Sequence, residues 1–337
     1  MKPWRALPSD PVCRVFAVVG ITLGMSSWGF VPHRHLHAKA WASLPLELRL
    51  ALGNDPTPLV ARATDADSRK HTDSLEAARH YFDLDDAHAE GLELWGKPWS
   101  DAQQLLQQAD SSASVRRLGM LAWQLEWSYW RLVRAWAPSD SSDPDLHEIV
   151  RAAADLGHYL GDAHVPLHTS GNYDGQRTGQ RGIHALWETH AVEWLLSRPE
   201  LPACPPRDAV LANYDPVWTP WEIILESHAM VPKVLAAERT WQSMCNRDGH
   251  GFRRRGRTMQ LAPTSASLAV WDSLTHGHTW PRYCLASQRI AAAWHSAWVD
   301  AGAPRAPRLP RASWREQLAL YLPQRWADWL LRHSSKP

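Results

Sequence analysis

The sequence predicts an all-α fold, and three observations lead to that prediction. Apolar residues recur with the helical period of about 3.6 residues along most of the chain, and strict alternation of apolar and polar residues is rare. Pro, Gly and Asn separate the periodic stretches, as they do at helix ends. The 337 residues suffice for one large domain or two ordinary ones. The sequence contains no Gly-rich phosphate loop of the GxxxxGKS or GxGxxG kind, so a nucleotide-cofactor fold is not expected.

The predicted helices follow one another along the chain. The first covers 34–52, and 57–72 is predicted to be a polar loop. A second helix begins at a capping residue, Asp73 or Ser74, and continues towards Glu90. The remaining predicted helices cover 114–136, 144–165, 183–196, 221–241 and 285–299, with a loop at 171–182 and a basic loop at 247–257.

Residues 1–27 are predicted to be a signal peptide. A basic start precedes an apolar stretch of 11 residues at 15–25, which is too short to cross a membrane. Two small residues, Ser26 and Ser27, precede Trp28, so cleavage is expected to leave Trp28 as the new N-terminus. The mature protein is then expected to be secreted or periplasmic. A retained segment that anchors the chain to the membrane is the alternative.

The expected cleavage leaves three cysteines and a long C-terminal extension. An exported protein can pair two of the three, but the sequence does not show which pair forms among Cys204, Cys245 and Cys284. The extension, residues 306–337, follows the domain predicted at 28–305 and is expected to be a helix packed on that domain. Its aromatic content leaves peripheral contact with a membrane as a second possibility.

The composition draws attention to histidine. Lys and Arg number 36 and Asp and Glu number 35, so the net charge of +1 argues against nucleic-acid binding by bulk electrostatics. The chain contains 21 Trp and 18 His. Abundant histidine can indicate metal binding, pH sensing or surface polarity, and the spacing of the residues distinguishes these possibilities.

The informative spacing lies in a segment of 31 residues from His158 to Glu188. His158 and Asp162 stand four positions apart on a predicted helix and therefore face the same way. Pro166 ends that helix, so the chain can bring His168 back to the same point. His184 and Glu188 form a second helical pair at the same spacing.

Imidazole and carboxylate are typical zinc ligands, and catalytic zinc sites keep a position open for water. One such pair occurs often by chance as surface decoration, whereas two pairs with a further histidine favour a metal site. Other residues fit the same chemistry: His33, His80 and one of the aspartates Asp65 and Asp67. Taken alone, a lone histidine such as His33, His80 or His164 is more often an ordinary polar residue.

Five motifs then carry a specific resemblance: WGFVPH, RHYFDLD, HYLGDAHVPLH, GIHALWE and LASQRIAAAWHSAWVDAGAP, in this order between Trp28 and Pro304. Together they resemble the superfamily of zinc-dependent phospholipases C and single-strand-specific nucleases, in particular its bacterial phospholipase C-like members. The resemblance implies a single-domain, multi-helix, all-α fold with three zinc ions in a cleft. It also implies hydrolysis of phosphodiester bonds by a zinc-bridged hydroxide.

The resemblance further implies a set of ligands. The first zinc ion would be held by Asp67, His80, His158 and Asp162, with Asp65 as the alternative to Asp67. Asp67 is preferred because family aspartates at this point precede a nearby basic residue. The second ion would be held by His168, His184 and Glu188. The third would be held by His33, Asp162 and the free amine and carbonyl of Trp28.

The substrate predicted from the resemblance is a phosphodiester, either a phospholipid headgroup or a nucleic acid, and no obligate protein partner is expected. Glu188 and the short 15-residue spacer between His168 and His184 favour the phospholipase branch. A single-strand nuclease or 3′-nucleotidase remains the alternative, and a non-catalytic zinc-binding protein is a second one. Asp67 is a candidate to orient or deprotonate the attacking water. Tyr81 is either a stacking platform for substrate or a residue of helix packing.

Overall fold

The structure is a computed structural model that describes residues 30–108, 113–137, 144–201, 203–204, 214–245, 252–255, 258–305, 318 and 322. The predicted signal peptide, Trp28, most of the extension 306–337 and part of the basic loop 247–257 lie outside these residues. Among the residues that the structure describes, no helix combines the length and the apolar character that crossing a bilayer requires.

The described chain is predominantly helical, which confirms the all-α prediction. The helices are α1 (Phe30–Ala42), α2 (Leu46–Ala51), α3 (Thr57–Arg62), α4 (Asp65–Arg69), α5 (Leu84–Ala89), α6 (Trp99–Gln108), α7 (Ala113–Leu118), α8 (Leu121–Trp136), α9 (Leu146–Ala163), α10 (183–196), α11 (Trp218–His228), α12 (Val231–Cys245), α13 (Ser265–Leu274) and α14 (Thr279–Asp300). Two 3₁₀ turns cover Glu76–His80 and Pro166–Thr169, and the middle of α10, Leu186–Ala191, is π-helical. Strands β1 (Phe252–Arg255) and β2 (Thr258–Leu261) pair as an antiparallel hairpin, with Phe252 opposite Leu261.

Helix α9 is the central element of the core. The Asp145 carboxylate accepts a hydrogen bond from the His147 backbone N–H and so caps the start of the helix. Almost every side chain from Ile149 to Ala163 is buried, because α1, α3, α8 and α14 pack around the helix. The helix ends just before Val165-Pro166, as the sequence predicts. The predicted pair His158 and Asp162 is therefore held inside the protein on a rigid element.

Two glycines of α9 allow α1 to approach closely. A Cβ atom at Gly157 would lie 2.6 Å from His37 Nε2, and a Cβ atom at Gly161 would lie 3.0 Å from His33 Nδ1. Both distances are shorter than ordinary contacts, so a side chain at either position would force these imidazoles to shift. The close approach brings His33 of α1 against the ligand-bearing end of α9.

Aromatic side chains pack beside the segment that carries His80. The Trp123 ring meets the Phe82 ring edge to face at a centroid distance of 5.6 Å, and it meets the Trp221 ring in the same way at 5.1 Å. Such pairs stabilise a core beyond the area they bury. Phe82 is fully buried, so this cluster anchors the chain two residues after His80.

Four sequence predictions about helices and loops were wrong. The predicted loop 57–72 contains α3 and α4, whose polar residues include a buried ion pair, Arg62 with Asp65 at 3.3 Å. The predicted helix from residue 73 to Glu90 is interrupted where Phe82 pairs with Gly119. The same contact breaks the predicted helix 114–136, and the predicted helix 221–241 is divided between α11 and α12 before Pro232.

Gly119 shows why this break occurs. Its backbone φ is +82°, and a Cβ atom there would lie 2.0 Å from the Tyr81 carbonyl oxygen. A residue with a side chain is disfavoured in this conformation and has no room in it. Helices α6 and α13, which the sequence analysis did not predict, complete the described helical set.

A disulfide joins Cys204 to Cys284 on α14, with a Cα–Cα distance of 5.5 Å, and Cys245 is free. The bond ties the chain after α10 to the closing helix of the core. It resolves the pairing that the sequence left open.

Candidate metal centre

The predicted ligands within the described residues come from six different elements and meet at one place. His33 lies on α1, Asp67 on α4, and His80 at the end of a 3₁₀ turn. The others are His158 and Asp162 on α9, His168 on the second 3₁₀ turn, and His184 and Glu188 on α10. Their donor atoms form three groups in which the atoms lie within 4.8 Å of one another: Asp67, His80 and His158; His33, His158 and Asp162; and His168, His184 and Glu188.

The first group surrounds the Asp67 carboxylate. Asp67 Oδ1 lies 3.7 Å from His158 Nε2 and 3.9 Å from His80 Nδ1. The two imidazole nitrogens are 3.2 Å apart. Asp65 points elsewhere, because its carboxylate is buried against Arg62. Of the two aspartates that the sequence offered, the structure therefore brings Asp67 to the group.

The Asp162 carboxylate connects this group to His33. Asp162 Oδ2 lies 2.7 Å from His80 Nδ1 and 3.4 Å from His158 Nε2. Its other oxygen, Oδ1, lies 3.3 Å from His33 Nε2. The two oxygens of one carboxylate thus face two neighbouring sets of donors.

The third group is centred on the Glu188 carboxylate. Glu188 Oε2 lies 2.8 Å from His184 Nε2 and 3.5 Å from His168 Nε2. Its second oxygen, Oε1, lies 3.4 Å from His33 Nε2. Glu188 therefore connects its group to His33 in the same way as Asp162 does. The residue lies on the π-helical part of α10, a distortion that occurs frequently at functional sites.

Hydrogen bonds to the backbone hold two of the rings in place. His158 Nδ1 donates to the Ala63 carbonyl at 2.8 Å, and His168 Nδ1 donates to the His80 carbonyl at 2.5 Å. A proton on Nδ1 leaves Nε2 as the lone-pair donor, which is the arrangement that a metal ligand requires. Both Nε2 atoms face the carboxylates of the groups.

Burial and charge act in opposite directions on the ionisable groups. Burial lowers the pKa of His158 to about 3, so this ring is neutral near pH 7. Burial also disfavours the charged form of His33, but hydrogen bonds to Asp162 and Glu188 outweigh it and raise the His33 pKa to about 10. Burial likewise tends to raise the pKa values of the two carboxyl groups, whereas the surrounding histidines hold both well below the usual range. The carboxylates are therefore anionic.

This donor set fits a metal centre with nitrogen and oxygen ligands. Zinc takes imidazole and carboxylate ligands at about 2.0–2.2 Å in tetrahedral geometry, which places ligand atoms about 3.3–3.6 Å apart. The separations from His33 Nε2 to Asp162 Oδ1 and to Glu188 Oε1, 3.3 Å and 3.4 Å, match this spacing. Such a concentration of buried imidazole and carboxylate groups could hold metal ions.

A cleft of about 700 Å³ opens from the groups. His80, His168 and His184 are among the residues that line it. Tyr81 lies on its wall, and its hydroxyl donates a hydrogen bond to the Arg116 carbonyl, so the residue faces the cleft and is also fixed by packing. His164, which the sequence analysis treated as structural, belongs to none of the three groups, and its Nδ1 donates to the Leu160 carbonyl.

Two residues of the cleft were missed by the sequence analysis. Lys70 Nζ lies 2.8 Å from Asp67 Oδ1 and brings a positive charge to the groups. Its position three residues after Asp67 is a signal that could have identified it. Tyr173, 54% exposed, lines the cleft with its ring centroid 6.2 Å from that of His184. It lies in the Gly-rich loop, where nothing in the sequence distinguished it.

Comparison with protein-family models, with curated proteins and with solved structures found no match for this chain.

Proposed function

We propose that the chain is a zinc-dependent hydrolase of phosphodiester bonds. The observation that carries the proposal is the position of His33 between Asp162 and Glu188. Each carboxylate presents one oxygen to His33 and the other to a different group of histidines. Three sets of donors are therefore contiguous. His80 of one set and His168 and His184 of another line the same cleft, where a phosphodiester could meet more than one metal ion.

The donors divide among three zinc ions as follows. Asp67, His80, His158 and Asp162 would hold the first, and His168, His184 and Glu188 would hold the second. His33, with oxygens of Asp162 and Glu188, would hold the third, and Trp28, which lies outside the described residues, is expected to complete it. Zinc in these positions would supply positive charge at the phosphoryl group and lower the pKa of a coordinated water.

Asp67 and Lys70 have complementary roles in this proposal. Burial tends to raise the pKa of Asp67, but neighbouring His158 and the Lys70 charge lower it, so the carboxylate is anionic and can accept a hydrogen bond that orients an attacking water. Burial tends to lower the pKa of Lys70, and the charges of Asp67 and Asp162 raise it, so the ammonium remains charged and attracts a phosphate. The pair thus offers an anionic hydrogen-bond acceptor and an anion-binding group 2.8 Å apart.

We favour a phospholipase C-like activity over a nuclease activity. Glu188 as the last ligand and the short spacer after His168 support this choice through the resemblance of the motifs. The specific observation in favour of the alternative, a single-strand nuclease or 3′-nucleotidase, is the pair of tyrosines, Tyr81 and Tyr173, on the wall of the cleft. Aromatic rings in that position can stack on bases.

Export from the cytoplasm is part of the proposal. Disulfides persist in oxidising compartments, so the bond between Cys204 and Cys284 supports a secreted or periplasmic location. The alternative is that the first 27 residues are retained and anchor the chain to the membrane. It gives the same compartment for the domain.

One experiment tests the activity and ranks the substrates. Purified protein is assayed side by side on phosphatidylcholine vesicles, on single-stranded DNA and RNA, and on a chromogenic phosphodiester, before and after chelation and after zinc is restored. The His184→Ala variant should lose turnover, whereas the control His276→Ala, at an exposed position between α13 and α14, should retain it. Turnover that survives exhaustive chelation would refute the proposal. Turnover of nucleic acid alone would reverse the ranking, and bound zinc without any turnover would support a non-catalytic protein.

A further inference from the structure

Glu76 is a fully buried carboxylate that lies one turn before His80. Its exposed fraction is 0%, and it belongs to the same 3₁₀ turn as His80. A buried carboxylate is costly unless it is paired and hydrogen-bonded, so its partners indicate what the fold retains it for.

Those partners hold the carboxylate from three sides. Arg79 Nη1 donates to Glu76 Oε2 at 2.5 Å, and Arg69 Nε lies 3.4 Å from the same oxygen. The Tyr159 hydroxyl donates to Oε1. The position of the carboxylate is therefore fixed, and one side of it remains directed at the His80 ring.

The His80 ring is oriented differently from the other four histidines of the centre. His33, His158, His168 and His184 direct Nε2 at the carboxylates of the groups. His80 directs Nδ1 at Asp162 Oδ2, at 2.7 Å, while its Nε2 lies 3.5 Å from Glu76 Oε1. Within the described residues this Nε2 is buried and has no hydrogen bond of ordinary geometry. Glu76 is the acidic group that faces it.

An ion-pair chain connects Glu76 to the protein surface. Arg69 lies between Glu76 and Asp155, with a distance of 3.0 Å to Asp155 Oδ1. Arg131 Nη1 lies 2.7 Å from Asp155 Oδ2 and pairs through Nη2 with the half-exposed Glu148 at 2.8 Å. The alternating charges fix Arg69, which in turn fixes the Glu76 carboxylate against His80.

We propose that Glu76 is a positioning residue for the metal centre: it accepts the Nε2 proton of His80 and so keeps the Nδ1 lone pair directed at the metal. The inference rests on the proposed zinc centre, but it concerns the ring nitrogen that binds and not the reaction. Carboxylates that orient metal-bound histidines in this way typically change metal affinity by about 10–100-fold. A purely structural Glu76, which only neutralises Arg69 and Arg79, would leave the binding nitrogen unspecified.

The first test needs no variant. The protein is labelled with ¹⁵N-histidine and loaded with ¹¹³Cd²⁺, and the scalar coupling identifies the nitrogen of each ring that binds the metal. We expect coupling through Nδ1 for His80 and through Nε2 for the other four. Coupling of the metal to His80 Nε2 would refute the inference. A protein that binds no metal would refute the proposed zinc centre itself, so the two failures are distinguishable.

The second test compares Glu76→Gln with Glu148→Gln, which removes the exposed end of the same ion-pair chain. Zinc affinity is measured by competition with a chelator, and the His80 ¹⁵N shifts are recorded with and without metal. We expect a loss of about 10–100-fold in affinity and a changed His80 tautomer for Glu76→Gln, with less than a twofold change for Glu148→Gln. A folded Glu76→Gln protein with unchanged affinity and unchanged His80 shifts would overturn the role. If Glu76→Gln does not fold, the coupling measurement on the unaltered protein decides.

Discussion

The imidazole rings of His33 and His158 stack on each other, with their centroids 4.1 Å apart and their planes 23° from parallel. His33 comes from α1 and His158 from α9, so the stack joins two helices at the centre. It places the Nε2 atoms of both rings beside the same Asp162 carboxylate. The integrity of the candidate site therefore depends on how closely these two helices approach.

Gly161→Ala should disturb that approach. The added Cβ atom would lie 3.0 Å from His33 Nδ1 and 3.2 Å from Leu36 Cδ1. We expect His33 to move away from Asp162, so the protein should retain fewer zinc ions per chain. The free energy of unfolding should fall by about 1–3 kcal/mol, as it does for other overpacked sites. Metal content by atomic emission and thermal unfolding measure the two effects. Unchanged metal content would show that His33 does not depend on this contact.

Glu188→Gln should cost more metal than His184→Ala. Glu188 faces both His184 and His33, whereas the His184 side chain serves one group alone. We expect Glu188→Gln to reduce the zinc content by more than one ion per chain, and His184→Ala by about one ion, since zinc affinity depends on each ligand. Metal analysis after dialysis against a weak chelator provides the comparison. Full zinc retention in both variants would contradict the ligand assignment.

Zinc binding should release protons near pH 7. Hydrogen bonds to Asp162 and Glu188 raise the pKa of His33 to about 10 against the effect of burial, so the ring is protonated below that pH in the metal-free protein. A histidine that binds zinc must be neutral, so zinc binding releases this proton. The zinc affinity should therefore rise with pH until the pH reaches the pKa of His33. Calorimetry in buffers of different ionisation enthalpy counts the released protons. His33→Gln should lower the count by about one, and an unchanged count would exclude His33 as their source.

Asp83→Asn should stabilise the protein most at alkaline pH. Burial, together with the charges of Asp85 and Asp86, raises the pKa of Asp83 to about 8. The folded state then holds a proton that the unfolded state releases near pH 4, so the contribution of Asp83 to stability falls as pH rises from about 4 to 8. Asparagine does not titrate, so the Asp83→Asn variant lacks this pH dependence of the free energy of unfolding. Thermal unfolding between pH 4 and 9 should show a difference between variant and wild type that grows with pH, and a constant difference would contradict the assignment.

Removal of the disulfide should destabilise the fold strongly. The bond between Cys204 and Cys284 spans 80 positions of the sequence. By the chain-entropy relation, closing a loop of that length contributes about 4.5 kcal/mol. Cys204→Ser should lower the free energy of unfolding in denaturant by roughly this amount, whereas Cys245→Ser is the matched control because Cys245 is free. Equal stability of both variants would show that the bond does not constrain the chain.

Local rules predicted the central part of the site. A helix carries residues four positions apart on one face, and a proline ends it, so the sequence around His158, Asp162 and Pro166 was sufficient to place these residues. The ends of α9 and the loop before His184 followed from the same reasoning.

Tertiary contacts account for the errors. The segment 57–72 resembles a loop because its polar residues include Arg62 and Asp65, and only the folded structure shows that they pair with each other in the interior. The break after His80 depends on the contact between Tyr81 and Gly119, residues that are distant in sequence. Neither effect belongs to a local pattern of hydrophobicity.

Residues that support the ligands were hardest to predict. Lys70 and Glu76 belong to no ligand motif. Charged residues are usually exposed, so the burial of Glu76 beside His80 had no sequence signature. Lys70 is exposed, and its spacing from Asp67 was the signal that could have pointed to it. Their positions relative to Asp67 and His80 acquire meaning only when the ligands are already known.

In the proposed zinc centre, the shared carboxylates would make metal loading a collective process. An ion that orients Asp162 or Glu188 for one set of donors also presets the opposite oxygen for His33. The occupancy of one position therefore changes the affinity of the next, and the centre is expected to fill along a cooperative isotherm instead of in independent steps. When zinc is limiting, few protein molecules should then be partially loaded. Most should carry either all of their zinc ions or none.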